Sequence, residues 1–137
     1  MTDATRTRME PPADPELSTF WEGTKERQLL LPRCTDCGTT FWHPRTTCPA
    51  CLSDRLEWRP SVGTGAVHAV SVMSRPERYA VVLVDLDAPE GPDGQGVRLM
   101  SNAVGIDPDD VTVGMRVRLT WEELSDGRHL WLFEPGG

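Results

Sequence analysis

The sequence predicts a mainly β chain: an N-terminal helix, a four-cysteine metal-binding segment and a small five-stranded barrel of the OB type. Three observations lead there. First, 137 residues make one domain, or one domain plus a small appendage. The 12 Gly and 12 Pro are about a sixth of the chain, against ordinary usage of roughly 12%. The apolar fraction of 38% lies below the usual ~45–50%. Such a composition builds many turns and a thin core, and it excludes a large helical bundle or a big two-domain enzyme. Second, all four cysteines fall at 34, 37, 48 and 51. Third, the residues after Cys51 carry five or six short β-type runs, the spacing of a small barrel or sandwich.

The elements follow in order. Residues 1–13 have no periodicity and read as a flexible tail. A helix is expected over 14–28. Asp14 suits the N-cap, Pro15 the first helical position and Glu16 the positive end of the helix dipole. Leu17, Phe20, Trp21 and Thr24 then share one helical face, and Gly23 interrupts the helix propensity. A short apolar strand, Leu29–Pro32, leads into the cysteine segment, so that residues 29–55 form one unit and 56–137 the barrel. In the barrel, Arg55–Val62, Val67–Ser74, Tyr79–Leu86 and Val97–Val104 read as strands. Tyr79–Leu86 is nearly continuous apolar sequence, as in a strand covered on both faces. Residues 88–96, with three Gly and two Pro, read as a loop, and Pro108–Val113 as a turn or short helical crossing. Met115, Val117, Leu119 and Trp121 alternate with polar residues, then Asp126-Gly127 turns the chain into a return strand, His129–Glu134.

Cys34-x-x-Cys37, ten intervening residues and Cys48-x-x-Cys51 match the needs of a tetrahedral ion. Each Cys-x-x-Cys turn presents two sulfurs, and two turns complete a shell at ~2.3 Å. Gly38 supplies a backbone free to take positive φ directly after the first pair. Closed four-cysteine coordination leaves no position for water, so the metal has a structural role. Zinc is the default occupant, and rubredoxin-type iron uses the same ligand set. The competing readings are two disulfides or two redox pairs. Disulfides conflict with a cytoplasmic setting, and a thioredoxin-like motif needs a βαβ context that the sequence does not offer.

That setting is expected because no apolar run approaches the ~18–20 residues of a membrane span, and the polar N-terminus does not resemble a signal peptide. The net charge of −7 disfavours nucleic acid as a partner. The alternative of a module for single-stranded nucleic acid therefore has its aromatics but not its charge. No nucleophile elbow, P-loop or dinucleotide fingerprint is present, and His43, His68 and His129 fall in separate elements, which argues against a stand-alone enzyme.

Taken together, Phe20-Trp21, Leu29-Leu30-Leu31-Pro32-Arg33-Cys34, Cys37-Gly38, Phe41-x-x-Pro44-Arg45, Cys48-Pro49-x-Cys51, Leu56-Glu57-Trp58, Gly63-x-Gly65, Val84-Asp85-Leu86, Gly114-Met115-x-Val117 and Phe133-x-Pro135 carry a resemblance. The chain, from about residue 17 onward, resembles the acyl-CoA-associated proteins that join a rubredoxin-like zinc ribbon to an OB-fold, a family long known only as a domain of unknown function. The resemblance implies a non-catalytic accessory subunit. Members assemble with thiolase-superfamily proteins (lipid-transfer-protein-like thiolases and aldolases, or ketoacyl synthases), which carry the catalytic residues. The small subunit helps bind or channel the acyl-CoA thioester, and related domains are fused to hydratases of steroid side-chain degradation.

Five Trp exceed what a small barrel readily hides, and Trp is enriched at interfaces. Phe20, Trp21, Phe41, Trp42 and His43 are thus candidates for a partner interface, the competing role being to cover the chain's own core. Arg33, Arg45 and Arg59 flank the cysteines and are candidates for pairing with CoA phosphates, the competing role being that of solvated surface charges.

Overall fold

The computed structural model describes residues 10–12, 14–75, 77–90 and 96–136. Apart from residues 10–12, the expected N-terminal tail lies outside them, as does the centre of the expected 88–96 loop. A 3-10 turn, Pro15–Leu17, runs into helix α1, Ser18–Lys25. The helix is shorter than the 14–28 pattern predicts. At its start the Leu17 N–H donates to the Asp14 carbonyl at 2.9 Å, a tight turn in place of a side-chain cap. At its end the Glu26 and Gln28 N–H groups both close on the Gly23 carbonyl. Gly23 itself is buried, and a β-carbon there would stand 2.7 Å from Leu30 Cδ1. The glycine that weakens the helix lets the next strand pack against it.

Strands β1 (Leu30–Cys34) and β2 (Leu56–Pro60) form a two-stranded antiparallel sheet that brackets the cysteine segment. Five strands follow: β3 (Thr64–Met73), β4 (Tyr79–Glu90), β5 (Gly96–Ala103), β6 (Arg116–Glu123) and β7 (His129–Pro135). They close in the order β3-β4-β5-β7-β6. The closing contact is parallel, Ala103 beside Phe133, and all other pairings are antiparallel. The 3-10 turn Pro108–Asp110 makes the expected crossing between β5 and β6. β4 and β5 run further into the 88–96 segment than its Gly/Pro content predicts, since Glu90 still pairs with Gly96.

Inside the barrel, Val67, Val82, Val84, Leu86, Val97, Leu99, Val117 and Phe133 are buried. This core is continuous with Phe20, Trp21, Leu29 and Leu31, so helix, ribbon and barrel share one interior. β4 is covered on one face only. Ala80, Val82, Val84 and Leu86 are buried, while Tyr79, Val81, Leu83 and Asp85 are half-buried on the other side. The continuous apolar pattern of this strand thus overstates how much of it the chain's own described residues cover.

Candidate metal centre and binding surfaces

The two cysteine pairs are built alike. Cys34 ends β1, and Cys37 follows within one turn. The Cys34 N–H donates to the Thr39 carbonyl at 2.8 Å, and the Gly38 N–H donates to the Cys34 carbonyl at 2.9 Å. In the second turn the Cys48 N–H donates to the Ser53 carbonyl at 2.8 Å, and the Leu52 N–H to the Cys48 carbonyl at 2.9 Å. These repeated bonds bring all four Sγ atoms within 4.8 Å of one another. Cys34 lies 3.6 Å from Cys51, and Cys37 lies 3.6 Å from Cys48. Tetrahedral ligation at ~2.3 Å sets sulfurs roughly 3.8 Å apart, whereas a disulfide needs ~2.05 Å. All four cysteines are free thiols, and their spacing fits a metal and not a pair of disulfides.

Electrostatics agree. The Thr39 hydroxyl, 3.2 Å from Cys37 Sγ, and the Thr39 N–H hold the Cys37 thiol down to about 6. The Cys34 thiol is also lowered, chiefly by the Cys37 N–H. For Cys51 the Ser53 N–H favours the thiolate, but the other sulfurs and burial together push it up to about 12. Four sulfurs this close cannot all carry charge unaided, and a divalent cation at their centre removes the conflict. Cys34, Cys37, Cys48 and Cys51 complete a closed shell, the arrangement of a structural metal.

Beside this centre lies an aromatic junction. Phe20 of α1 stands 5.0 Å, centroid to centroid, from Trp42 of the ribbon loop and 5.2 Å from Trp131 of β7. Trp21 lies 5.2 Å from Phe20 and 5.9 Å from Trp131, and the Arg128 guanidinium stacks 4.6 Å above the Trp21 ring. Phe20 and Trp21 are buried here, and Phe41 is buried in the ribbon loop. Phe20 and Trp21 join the chain's own helix, ribbon and barrel here, the competing role weighed for them above. Trp42 is half-buried in the same junction, and His43 is exposed beside it.

The three candidate arginines do not converge. Arg33 and Arg59 both reach Glu57, each with Nη1 3.1 Å from the same carboxylate oxygen. Strand register puts Arg33 opposite Glu57, with Arg59 two residues further along β2 on the same face. Arg45 stands apart, in a cleft of about 300 Å³ lined also by Asp14, Leu17, His43, Pro44 and Thr46. The other histidines have local tasks. His68 Nδ1 lies 3.2 Å from Asp85, and buried His129 donates from Nδ1 to the Thr24 carbonyl at 2.8 Å. Two features escape a reading by sequence pattern. Glu57 as the shared partner of two arginines is visible only once β1 and β2 are aligned. Leu52, 76% exposed with φ +68, has no local signal at all.

A closed four-thiolate ribbon seated through aromatic rings on a five-stranded barrel defines a two-module, metal-ribbon and OB-barrel protein. Residues 21–57 match the model of the ChsH2 rubredoxin-like zinc ribbon domain, and residues 58–122 match that of the ChsH2 C-terminal OB-fold domain. The chain belongs to this ChsH2 family, also known as DUF35. A solved chain of the Ltp2-ChsH2(DUF35) aldolase superposes with a TM-score of 0.80 at 32% identity, over 92% of this chain and 98% of that one. The 3-oxo-4,17-pregnadiene-20-carboxyl-CoA hydratase alpha subunit of Mycobacterium tuberculosis is 30% identical over 93% of this chain. The chain spans 40% of the length of that hydratase subunit. A DUF35 domain-containing scaffold protein of Methanothermobacter thermautotrophicus is 28% identical over 77% of this chain and 81% of its own length. Among the described residues, no helix is long and apolar enough to cross a membrane.

Proposed function

We propose that this chain is a non-catalytic accessory subunit that assembles with a thiolase-like aldolase and helps hold its acyl-CoA substrate. The observation that carries the reading is the match, over nearly the full length of both chains, to the DUF35 chain of an Ltp2-ChsH2 aldolase. The scaffold description of the archaeal relative supports an accessory role. The local partners of His68 and His129, Asp85 and the Thr24 carbonyl, support it too. The hydratase relative's name favours a steroid side-chain acyl-CoA as the substrate class. Zinc is the metal of the ribbon, held by Cys34, Cys37, Cys48 and Cys51, and its part is to fold the segment that positions Trp42 and His43. Arg45, with His43 and Thr46 in one cleft, is the best placed of the three arginines to meet a CoA phosphate. Arg33 and Arg59 are instead held on one carboxylate, that of Glu57.

The test is co-expression with a thiolase-like aldolase, followed by size-exclusion chromatography and an acyl-CoA cleavage assay. Co-elution, and aldolase activity that depends on this chain, are the expected results. Arg45→Ala is expected to raise the acyl-CoA KM at least threefold without dissociating the complex. A chain that stays separate from the aldolase and leaves its activity unchanged sinks the reading.

A further inference from the structure

The barrel wall is unevenly paired. β3 pairs with β4 from Gly65 to Met73, but with β6 only from Thr64 to Ala66. The last backbone bonds on the β6 side reach Val67, which donates to Met115 and accepts from Gly114. Beyond the register shift between Val67 and Ala69, the second edge of Ala69–Met73 has no backbone partner among the described residues. This edge reads Ala-Val-Ser-Val-Met, with no charge and no proline. Open edges are normally blunted by lysine, proline or inward charges, because bare N–H and C=O groups recruit strands. Val72 and Met73 are 38% and 41% exposed on it.

The adjoining outer face is apolar in its first row and mixed in the next. Register sets Ala69, Leu83 and Met100 in one row, and Ser71, Val81 and Asn102 in the next. The alternate residues Ala80, Val82 and Val84 fill the barrel, so these rows lie outside, with Met100 61% exposed. The patch ends at Asp85, which pairs with Arg98 and lies beside His68.

We propose that an extended segment of the partner subunit adds to the barrel as a strand along Ala69–Met73, its side chains running onto the Leu83–Met100 face. The inference rests on the accessory-subunit reading and adds to it the surface that the partner uses. Main-chain edges accept extended backbone, so the occupant is a strand and not a helix or a flat surface. The uncharged edge calls for an uncharged, apolar strand. The net charge of −7 calls for neutral or basic flanks to that strand and opposes a second copy of this chain.

Hydrogen exchange read by mass spectrometry, on the zinc-loaded chain alone and in complex with the thiolase-like aldolase, tests this. The amides of 69–73 are expected to exchange at least tenfold more slowly in the complex. The double variant V72K/M73K is expected to weaken association at least tenfold, with zinc content and far-UV dichroism unchanged. If the complex forms with those amides unprotected and the double variant binds normally, the strand inference falls and the partner reading stands. If Met100→Lys abolishes binding while V72K/M73K does not, the partner uses the face alone and the inference also falls. Protection of 69–73 in a self-dimer of this chain assigns the edge to a second copy and overturns it. Absence of any complex removes both readings.

Discussion

Leu52 holds in the second cysteine turn the place that Gly38 holds in the first. Each N–H closes on the carbonyl of the leading cysteine at 2.9 Å, and each residue has a left-handed backbone, φ +79 at Gly38 and +68 at Leu52. Only one of the two is glycine. A β-carbon in this region costs roughly 1–2 kcal/mol, and a side chain as exposed as Leu52 recovers little by packing. Leu52→Gly is therefore expected to stabilise the metal-loaded chain by about 1 kcal/mol, after glycine's greater freedom in the unfolded chain is deducted. The denaturation midpoint reads this. A midpoint that falls shows that the leucine side chain outweighs its backbone.

Metal removal acts on a sheet of two five-residue strands, too small to persist alone. Chelation is expected to unfold the ribbon while the dichroism of the barrel strands largely persists, and Cys48→Ser is expected to reproduce it. Acid acts in the same direction. Binding requires thiolates, and without metal the thiols of Cys37 and Cys51 sit at about 6 and about 12. Metal therefore lowers the Cys51 value far below its free-chain position, and the stability so gained is present at neutral pH and lost on acidification as protons reclaim the sulfurs. Release of zinc to a chromophoric chelator is expected to rise steadily from pH 8 to pH 5, and a flat profile contradicts four-thiolate ligation.

Asp87 ties β4 to two other strands. The Arg116 guanidinium donates to both of its carboxylate oxygens, and the Thr64 hydroxyl donates to one of them at 2.6 Å. Arg116 first, then Thr64, hold the Asp87 carboxyl down to about 2. Its unfolded value is ~3.9, so the contribution to stability is complete above that pH and lost as pH falls through about 2. Asp87→Asn is expected to lower the thermal midpoint at pH 6 and to match the parent near pH 2. The pair is open to solvent, so the difference at pH 6 should be modest and should shrink in high salt.

Phe20 touches rings from the helix, the ribbon loop and the barrel at once. Phe20→Ala is expected to cost roughly 3–5 kcal/mol. It is also expected to split unfolding into two steps, with zinc lost at lower denaturant than barrel structure. A single coincident transition argues that the modules hold together by other contacts.

The metal centre is legible in the sequence because its ligands lie within eighteen residues and tetrahedral ligation tolerates few spacings. The barrel is legible because each strand is short and alternating, and Asp126-Gly127 marks its last hairpin. What local pattern could not supply depends on distant partners. Gly23 stands inside the helix because Leu30 packs where a β-carbon would be. Buried Thr24 accepts from the His129 N–H, a bond that spans 105 positions. Phe20 and Trp21 have the same pattern whether their cover is the chain's own β7 or another protein. The arginines looked alike until strand register gave two of them a common carboxylate.

The junction also makes the chain its own optical gauge. Trp42 belongs to the ribbon and Trp131 to the barrel, with ring centroids 6.1 Å apart and planes inclined at 72°. Chromophores this close share their excitation, so the pair should give a dichroic couplet in the indole bands. The contribution of this pair is lost if the ribbon swings away from the barrel, even with both modules still folded, while that of Trp21 and Trp131, 5.9 Å apart, stays. Seating of the ribbon can then be followed in real time, without a label, as metal is added or a second protein arrives.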